Sequence, residues 1–308
     1  MNARPERTEL EEISLLTGID PSFIEKDWFV TQVVAALAAF SYEGFALIFT
    51  GGTALSKAHK LIERFSEDVD FRVIAPQDRQ NRKSLSDFNK VVLSHLRESG
   101  FTIADAQVKA RNDNRLLAFE FDYPSYFNQP AAMRPHVQIE IAVRAPQYPG
   151  IHLPVSSFVN AAYNRPPEVG CIACIDPIES AADKLSALAW RVPARVRGNE
   201  KDDPSLVRHL HDLALLKHRV LADEQFHVLV ANAMRLDDRR AVSLSGLSIG
   251  DKFRKMMECL EGDREYQTEY DTFVRGVSYA SEGAFPDFAM AMQAIRELVL
   301  RTGIHLDQ

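Results

Sequence analysis

Hydrophobic positions change their spacing along the chain, and these changes predict the order of helices and strands. From residue 10 to residue 40, apolar side chains recur every three to four positions, as on an amphipathic helix. Asp20 followed by Pro21 is a typical helix start, so we predict two helices in this stretch. The run FALIFT, residues 45–50, is short, apolar and partly β-branched, and it predicts a strand that a Gly-Gly pair closes.

After the glycine pair, the spacing is first helical and then alternating. Apolar residues within 54–65 fall on one stripe, which predicts a single helix there. In EDVDFRV, residues 67–73, alternation sends Asp68, Asp70 and Arg72 to one face of a strand and the apolar side chains to the other. The same patterns predict a helix over residues 83–99 and strands over residues 116–123 and 137–143.

The predicted elements of the second half are all helices. The segments 176–192 and 202–218 each begin with Asp-Pro signals and then follow helical spacing. Three prolines and a glycine lie close together within residues 146–154, which favours a domain boundary near residues 150–165. We therefore predict an α/β (α+β) protein in which residues 1–154 hold N-terminal helices and a core with a mixed sheet, and residues 155–308 form a helical C-terminal lobe.

Composition places the chain among ordinary globular proteins, because 46% of its 308 residues are hydrophobic and 26% are charged. The net charge of -7 excludes a uniformly basic nucleic-acid coat but allows a local basic groove. No stretch approaches about 20 apolar residues without a charge, and the chain does not start with a basic region followed by an apolar one. We therefore expect a cytoplasmic protein with no membrane contact.

Three cysteines are present, and Cys171 and Cys174 form a CxxC motif. An odd number of cysteines does not suit a secreted disulfide scaffold. A second pair at zinc-binding spacing is missing from the sequence. We therefore interpret the cysteines, Cys259 included, as small buried apolar side chains rather than as a metal or redox site.

The segment FTGGTALSKAHKLIERFSEDVDF, residues 49–71, combines a strand, a Gly-Gly turn and a predicted helix start. The first N–H groups of a helix have no helical partner and carry the positive end of its dipole. Gly51, Gly52 and Thr53 are therefore a candidate phosphate site. Neither GxxxxGK[ST] nor GxGxxG spacing is present, and a plain tight turn is the alternative.

Three carboxylates are candidates for a metal site. Asp68 and Asp70 lie on one predicted strand face, where like charges repel unless a cation lies between them. Glu140 lies within the apolar strand VQIEI and needs a partner if it is buried. Such oxygen ligands suit Mg²⁺, with Mn²⁺ as an alternative, for phosphoryl or nucleotidyl transfer. The competing interpretations are a solvated strand edge for the aspartates and an exposed sheet face for Glu140.

Several motifs together resemble those of the AbiEii/AbiGii nucleotidyltransferase toxin family, the toxin half of type IV toxin–antitoxin and abortive-infection systems. GGTALSKAHKLIERFSEDVDF resembles the family signature GG(S/T)...RxSxDxD(F/L), and FIEKDWFVTQVVAAL resembles the helix that precedes it. IESAADKLSALAWR and VRHLHDL resemble two later helical motifs. The resemblance runs from about residue 23 to residue 216. This family includes the MenT toxins, and the resemblance implies the fold of the DNA polymerase β-like nucleotidyltransferase superfamily.

The resemblance implies an enzyme that uses Mg²⁺ to transfer a nucleoside monophosphate from an NTP to an acceptor hydroxyl. It also implies a tRNA 3′ end as acceptor and a cognate antitoxin as partner. One departure is His209, which stands where the family often has aspartate. Position by position, the resemblance makes Gly51, Gly52 and Thr53 the loop that binds phosphate. It makes Asp68 and Asp70 the metal ligands, with Ser66 as the serine beside them. It makes Lys184 the residue that contacts the triphosphate, and Asp212 the acidic residue of the last motif.

The chemistry of the residues themselves agrees with part of this assignment. Lys184 and Arg191 share one face of the same predicted helix. The Lys184 ammonium group could bind triphosphate oxygens as a point charge, and the planar Arg191 guanidinium could donate two parallel hydrogen bonds to them. A solvated helix face is the alternative for both, and an i,i+4 pair with Arg208 is the alternative for Asp212. Ser66 is either a hydrogen-bonding cap or a site of self-modification.

Two basic stretches are candidates for RNA contact, which an acidic protein must supply locally. For the first of them, a solvated, mobile loop is the alternative interpretation. The first stretch holds Arg191, Arg195, Arg197 and Lys201, and the second holds Lys109, Arg111 and Arg115.

Two other function classes stay open at this point. A phosphotransferase on the same fold would move a γ-phosphate instead of a nucleoside monophosphate. A non-catalytic nucleotide-binding module would keep the pocket without turnover. The combination of Asp68, Asp70 and Lys184 favours the nucleotidyltransferase.

Overall fold

The structure, a computed structural model, describes residues 2–130, 133–200, 202–238, 244–280 and 285–304. It divides into two compact units, Met1–Asp176 and Pro177–Gln308. This division lies later in the chain than the boundary predicted near residue 154, because residues 151–174 add two strands to the sheet of the first unit.

The first unit combines helices with one mixed sheet, which confirms the predicted α/β class and its N-terminal helices. Its α-helices are α1 (Arg7–Thr17), α2 (Pro21–Ala38), α3 (Gly51–Thr53), α4 (Arg82–Glu98) and α5 (Phe158–Ala162). Its strands are β1 (Ala46–Thr50), β2 (Asp68–Ile74), β3 (Lys109–Arg111), β4 (Leu116–Asp122), β5 (His136–Val143), β6 (Ile151–Val155) and β7 (Val169–Cys174).

The seven strands follow the order β3-β4-β5-β2-β1-β7-β6. β2 runs antiparallel to β1 and parallel to β5, and β1 runs parallel to β7. Alternation decides which face of β2 enters the core, since Val69, Phe71 and Val73 are at most 1% exposed. Because β2 is paired on both sides, its polar residues belong to a central strand, which excludes the strand-edge interpretation of Asp68 and Asp70.

The helix predicted over residues 54–65 is wrong. The chain forms the short α3 and then one π-helical turn, Ala54–Ala58, after which no helix continues. Lys60 adopts a left-handed backbone with φ of 54°, and the Leu61 N–H donates to the Leu55 carbonyl at 2.9 Å, as at a helix end. Apolar spacing does not reveal this ending, because the later apolar residues are buried without being helical.

The hydrophobic patterns do not predict β3, β6 or β7. β3 is a short exposed edge, β6 contains Pro154, and β7 carries the CxxC motif. Residues three apart along a strand lie about 10 Å apart and point to opposite faces. Cys174 is accordingly buried, and burial raises the pKa of its thiol to about 12. Cys171 is exposed, so the prediction of a buried apolar side chain is wrong for this residue. Both are free thiols, so this pair forms no disulfide.

The elements described in the second unit are helical, as predicted for the C-terminal lobe. Asp203 accepts a hydrogen bond from the Ser205 N–H at 3.0 Å and caps the 3₁₀ turn Pro204–Val207, as its Asp-Pro signal predicts. The α-helices are α6 (Pro177–Ala194), α7 (Arg208–Leu221), α8 (Phe226–Asp237), α9 (Ile249–Gly262), α10 (Glu265–Val277) and α11 (Phe288–Arg301). In the parts of the chain that the structure describes, no helix is long and apolar enough to cross a membrane.

Candidate active site

A left-handed glycine brings the end of β1 against the acidic strand. Gly51 has φ of 78°, a backbone conformation that favours glycine, and it follows Thr50, which pairs with Asp70 across β1 and β2. A Cβ built at Gly51 would collide with an Asp70 carboxylate oxygen and come within 3.0 Å of Asp70 Cβ and Cγ. Asp70 therefore lies directly against the main chain of Gly51–Thr53, which we call the glycine turn.

The second glycine of the turn faces two further polar side chains. A Cβ at Gly52 would come 2.7 Å from Arg64 Nη2 and 2.8 Å from Ser66 Oγ. Thr53 is fully buried, donates from Oγ1 to the Asp68 carbonyl, and lies 3.0 Å from Ser66 Oγ. Thr53 thus joins the glycine turn by a hydrogen bond to the strand that carries both aspartates. A plain tight turn, the alternative interpretation, does not require this hydrogen bond.

Strand register places three carboxylates on one face of the sheet. Asp70 of β2 pairs directly with Glu140 of β5, and Asp68 pairs with Gln138. Paired residues of neighbouring strands share a face, so Asp68, Asp70 and Glu140 form what we call the acidic face. Arg72 shares this face by alternation and is 4% exposed.

The donor chemistry of the acidic face fits a divalent ion, because carboxylate oxygens are ligands that Mg²⁺ and Mn²⁺ prefer. In the conformation of the described residues, however, no three His, Cys, Asp or Glu side chains are grouped closely enough to hold a metal ion. The Asp68 carboxylate instead contacts the guanidinium of Arg134. Metal binding at Asp68 would therefore replace an existing ion pair.

Hydrogen bonds hold both main-chain groups of Arg134, its N–H and its carbonyl. Its N–H donates to Glu67 Oε2 at 3.0 Å, and its carbonyl accepts from Lys26 Nζ at 2.7 Å. The guanidinium also donates to Gln138 at 3.1 Å. Lys26 is fully buried and paired with Glu67; burial lowers the pKa of Lys26, and the Glu67 charge opposes that effect. Lys26 and Glu67 thus fix the main chain that presents Arg134 to Asp68.

Two further buried acids of α2 belong to the tripeptide EKD, residues 25–27, which we call the EKD motif. Glu25 pairs with Arg4 at 2.5 Å. Asp27 contacts Lys57 in the π-helical turn and accepts from the Phe158 N–H at 2.8 Å. Burial raises the pKa of Asp27, and the Lys57 charge opposes that shift. Through the Asp27 pair, α2 holds the segment that directly follows the glycine turn.

In the second unit, Lys184 of α6 and Asp212 of α7 form a buried ion pair. Lys184 Nζ lies 2.9 Å from Asp212 Oδ2, and the two residues are 7% and 0% exposed. The solvated-face interpretation of Lys184 is therefore wrong. His209 precedes Asp212 in α7, and burial together with the Lys184 charge holds its pKa well below 6.5. Among the described residues, its Nδ1 has no hydrogen-bond partner.

Two arginines from the first predicted RNA-contacting stretch are held within the second unit. Arg195 has a side chain that is 5% exposed and binds Glu269 of α10 through two nitrogens, each at 2.7 Å. Arg197 contacts the same carboxylate and also Asp263 at 2.8 Å. These ion pairs exclude a mobile loop at both positions and engage the two guanidinium groups internally.

The remaining basic candidates have different surroundings. Arg191, also predicted to bind nucleotide, pairs with Asp203 at 2.5 Å. Lys201 lies outside the described residues. Three exposed basic residues lie on or beside the edge strand β3, namely Lys109, Arg111 and Arg115.

Sequence patterns do not reveal Arg134 as a site residue, because the hydrogen bond from Lys26 to its carbonyl joins positions 108 apart in the chain. Lys26 is visible in the sequence only as part of the EKD motif. Glu67 is visible only as a third acid beside the two aspartates, and the structure gives it a separate role as the partner of Lys26.

The chain matches the family model described as "Nucleotidyl transferase AbiEii toxin, Type IV TA system" over residues 33–294. The match continues past residue 216, where the sequence motifs end. Curated proteins give no significant match. A similar solved structure is MenT4, a nucleotidyltransferase toxin from Mycobacterium tuberculosis H37Rv, with 16% identity and a TM-score of 0.39 over 87% of this chain and 99% of that chain. Because the family model spans most of the sequence, the chain belongs to the AbiEii nucleotidyltransferase toxin family of type IV toxin–antitoxin systems.

Proposed function

We propose that the protein transfers a nucleoside monophosphate from an NTP to an acceptor hydroxyl and releases pyrophosphate. The packing of Asp70 directly against Gly51 carries this proposal, because it joins a candidate phosphate site to a carboxylate. Family membership supports nucleotidyl transfer as the reaction class. A divalent ion, Mg²⁺ or Mn²⁺, bound by Asp68, Asp70 and Glu140 would supply activation of the hydroxyl and compensation of phosphate charge.

The other residues of the chain bind and orient the substrate in this proposal. The two glycines let phosphate oxygens approach the main-chain N–H groups of the glycine turn closely. Ser66 supports the turn through its position beside Gly52 and Thr53. Lys184 and Arg191 offset triphosphate charge, and Asp212 orients Lys184 through their 2.9 Å pair.

We further propose a tRNA 3′ end as acceptor and a cognate antitoxin as partner. Membership in a type IV toxin family supports the antitoxin. For the acceptor, the exposed basic residues beside β3 offer local positive charge in a protein whose net charge is -7. Both substrates, NTP and tRNA, are cytoplasmic, so we expect the protein to act in that compartment.

A labelling experiment tests the reaction. Purified protein is incubated with Mg²⁺, total tRNA and each α-³²P-labelled NTP in turn, and the products are resolved on a denaturing gel. We expect label to enter RNA with at least one NTP and to vanish with Asp70→Asn. Asp78→Asn, at an exposed aspartate outside the acidic face, is the matched control and retains transfer.

Two other outcomes of this experiment have definite meanings. If label enters RNA or protein only from γ-³²P-labelled NTP, the protein is a phosphotransferase on the same fold. If the protein binds nucleotide but forms no labelled product, and Asp70→Asn leaves growth inhibition intact, the protein is a non-catalytic nucleotide-binding module. Either result overturns the proposed nucleotidyl transfer.

A further inference from the structure

The guanidinium of Arg134 compensates part of the negative charge on the acidic face. Asp68, Asp70 and Glu140 bring three carboxylates to one face of the sheet, where like charges repel. Arg134 contacts the Asp68 carboxylate directly. Arginine is permanently charged, and its planar fork suits phosphate oxygens as well as carboxylates. A divalent ion and Arg134 therefore compete for the Asp68 carboxylate, which Arg134 contacts at Oδ1.

Short hydrogen bonds hold the main chain of Arg134, whereas Glu67 lies 3.9 Å from Nε of its side chain. Glu67 and the fully buried Lys26 hold the main-chain N–H and carbonyl. The side chain beyond them is 37% exposed. The guanidinium can therefore exchange Asp68 for another anion while the main chain stays in place.

We propose that Arg134 couples nucleotide binding to metal binding, an inference that rests on the proposed function. In the protein without nucleotide, the guanidinium is paired with the Asp68 carboxylate and opposes binding of a divalent ion there. A bound triphosphate draws the guanidinium to a phosphate oxygen, which releases the Asp68 carboxylate for the ion. Because linkage is reciprocal, nucleotide and ion raise each other's affinity by the same factor. Arg134 is thus a nucleotide-binding residue that also sets the order of binding.

Mn²⁺ binding tests this coupling without requiring turnover. Free Mn²⁺ is measured by electron paramagnetic resonance, with and without the α,β-methylene analogues of ATP, GTP, CTP and UTP in turn. We expect at least one analogue to tighten Mn²⁺ binding to the wild-type protein about tenfold, within the usual range of coupling between sites. We expect Arg134→Ala to bind Mn²⁺ about tenfold tighter than wild type without analogue, and to gain less than about twofold when analogue is added.

Two further variants make the test specific. Arg134→Gln keeps a hydrogen-bond donor but loses the charge, and it should behave like Arg134→Ala. Arg79→Ala removes an arginine from an exposed pair with Glu43 and should bind Mn²⁺ as wild type does. Circular dichroism melting of each variant checks folding, which the main-chain contacts of Arg134 preserve.

The outcomes separate this inference from the proposed function. If Arg134→Ala and Arg134→Gln bind Mn²⁺ with wild-type affinity in both conditions, while Asp70→Asn abolishes binding, the metal site stands and the coupling is overturned. If the wild-type protein binds no Mn²⁺ with any analogue, the metal site of the proposed function is wrong and the coupling falls with it.

Discussion

Asp70 and Glu140 are direct partners in the parallel strands β2 and β5, so the two carboxylates lie side by side on one face of the sheet. Their closeness results from strand register, because the two residues are far apart in the chain. Two adjacent like charges oppose folding unless positive charge compensates them. The pairing is therefore expected where the face binds a cation.

Glu140→Gln removes one of these charges while keeping the size of the side chain. We expect it to raise the Mg²⁺ concentration needed for half-maximal nucleotidyl transfer about tenfold, the lower end of the range for residues that support a metal site. Glu98→Gln is the control, since Glu98 is exposed on the helix α4 and does not belong to the sheet. An unchanged Mg²⁺ requirement in Glu140→Gln would remove Glu140 from the site.

Gly51→Ala tests the contact between the glycine turn and Asp70. Gly18 also has a left-handed backbone, with φ of 73°, but nothing lies within 4 Å of a Cβ built there. Both substitutions to alanine cost about 1–2 kcal/mol of stability because of backbone conformation. Only Gly51→Ala pushes against the Asp70 carboxylate, and we expect transfer to fall about a hundredfold, as for other small misplacements of catalytic groups.

The comparison of initial transfer rates between Gly51→Ala and Gly18→Ala checks this prediction. Equal rates at equal folded fraction would show that Asp70 tolerates displacement from the turn. In that case, the close packing seen at Gly51 has no bearing on the reaction.

Lys26→Met tests the buried pair that fixes Arg134. Removing one partner of a buried ion pair leaves an uncompensated charge, so we expect a loss of about 3–5 kcal/mol in the free energy of unfolding. Lys90→Met is the control, because Lys90 is 74% exposed and its contact with Asp87 is long at 3.4 Å. Its loss should stay within about 0.5 kcal/mol. Urea denaturation measures both, and similar losses would show that Glu67 does not depend on Lys26.

The lowered pKa of the half-buried His209 predicts a pH dependence of stability. Burial and the Lys184 charge hold its pKa well below 6.5 in the folded protein, whereas the unfolded chain titrates near 6.5. Below that pH the unfolded chain binds a proton that the folded protein does not, so stability is present above about pH 6.5 and is lost as pH falls. The loss from this group approaches about 1.4 kcal/mol per pH unit.

His209→Gln should make this acid-side loss shallower. Thermal or urea unfolding between pH 7.5 and pH 5.5 measures the slope. His227→Gln, at an exposed histidine of α8, is the control and should keep the wild-type slope. If His209→Gln also keeps that slope, His209 is not held neutral in the folded protein.

Local patterns in the sequence account for much of the fold and for part of the site. Period-two alternation correctly places Val69 and Phe71 in the core, and therefore Asp68 and Asp70 together on the opposite face. Asp20 caps α2 as predicted, since its side chain accepts from the Ser22 N–H at 2.9 Å. These predictions succeed because they depend on neighbours within one element.

The features that the sequence does not predict depend on contacts between distant segments. The helix after the glycine turn stops early because Lys60 adopts a left-handed backbone, which its residue type does not signal. Glu67 looks like a third member of the acidic cluster, yet it pairs with Lys26. Arg134 enters the site through this pair, in a stretch without a recognisable motif.

Pyrophosphate release from NTP in the presence of tRNA and Mg²⁺ is the measurement that decides whether the acidic face is catalytic. The wild-type protein, Asp70→Asn and Asp78→Asn are compared at equal folded fraction. We expect release by the wild type and by Asp78→Asn. We expect a rate at least about a hundredfold lower for Asp70→Asn, since the proposed metal ligand and its contact with the glycine turn are both affected. Equal release by Asp70→Asn and the wild type would contradict the assignment of the acidic face as the catalytic site.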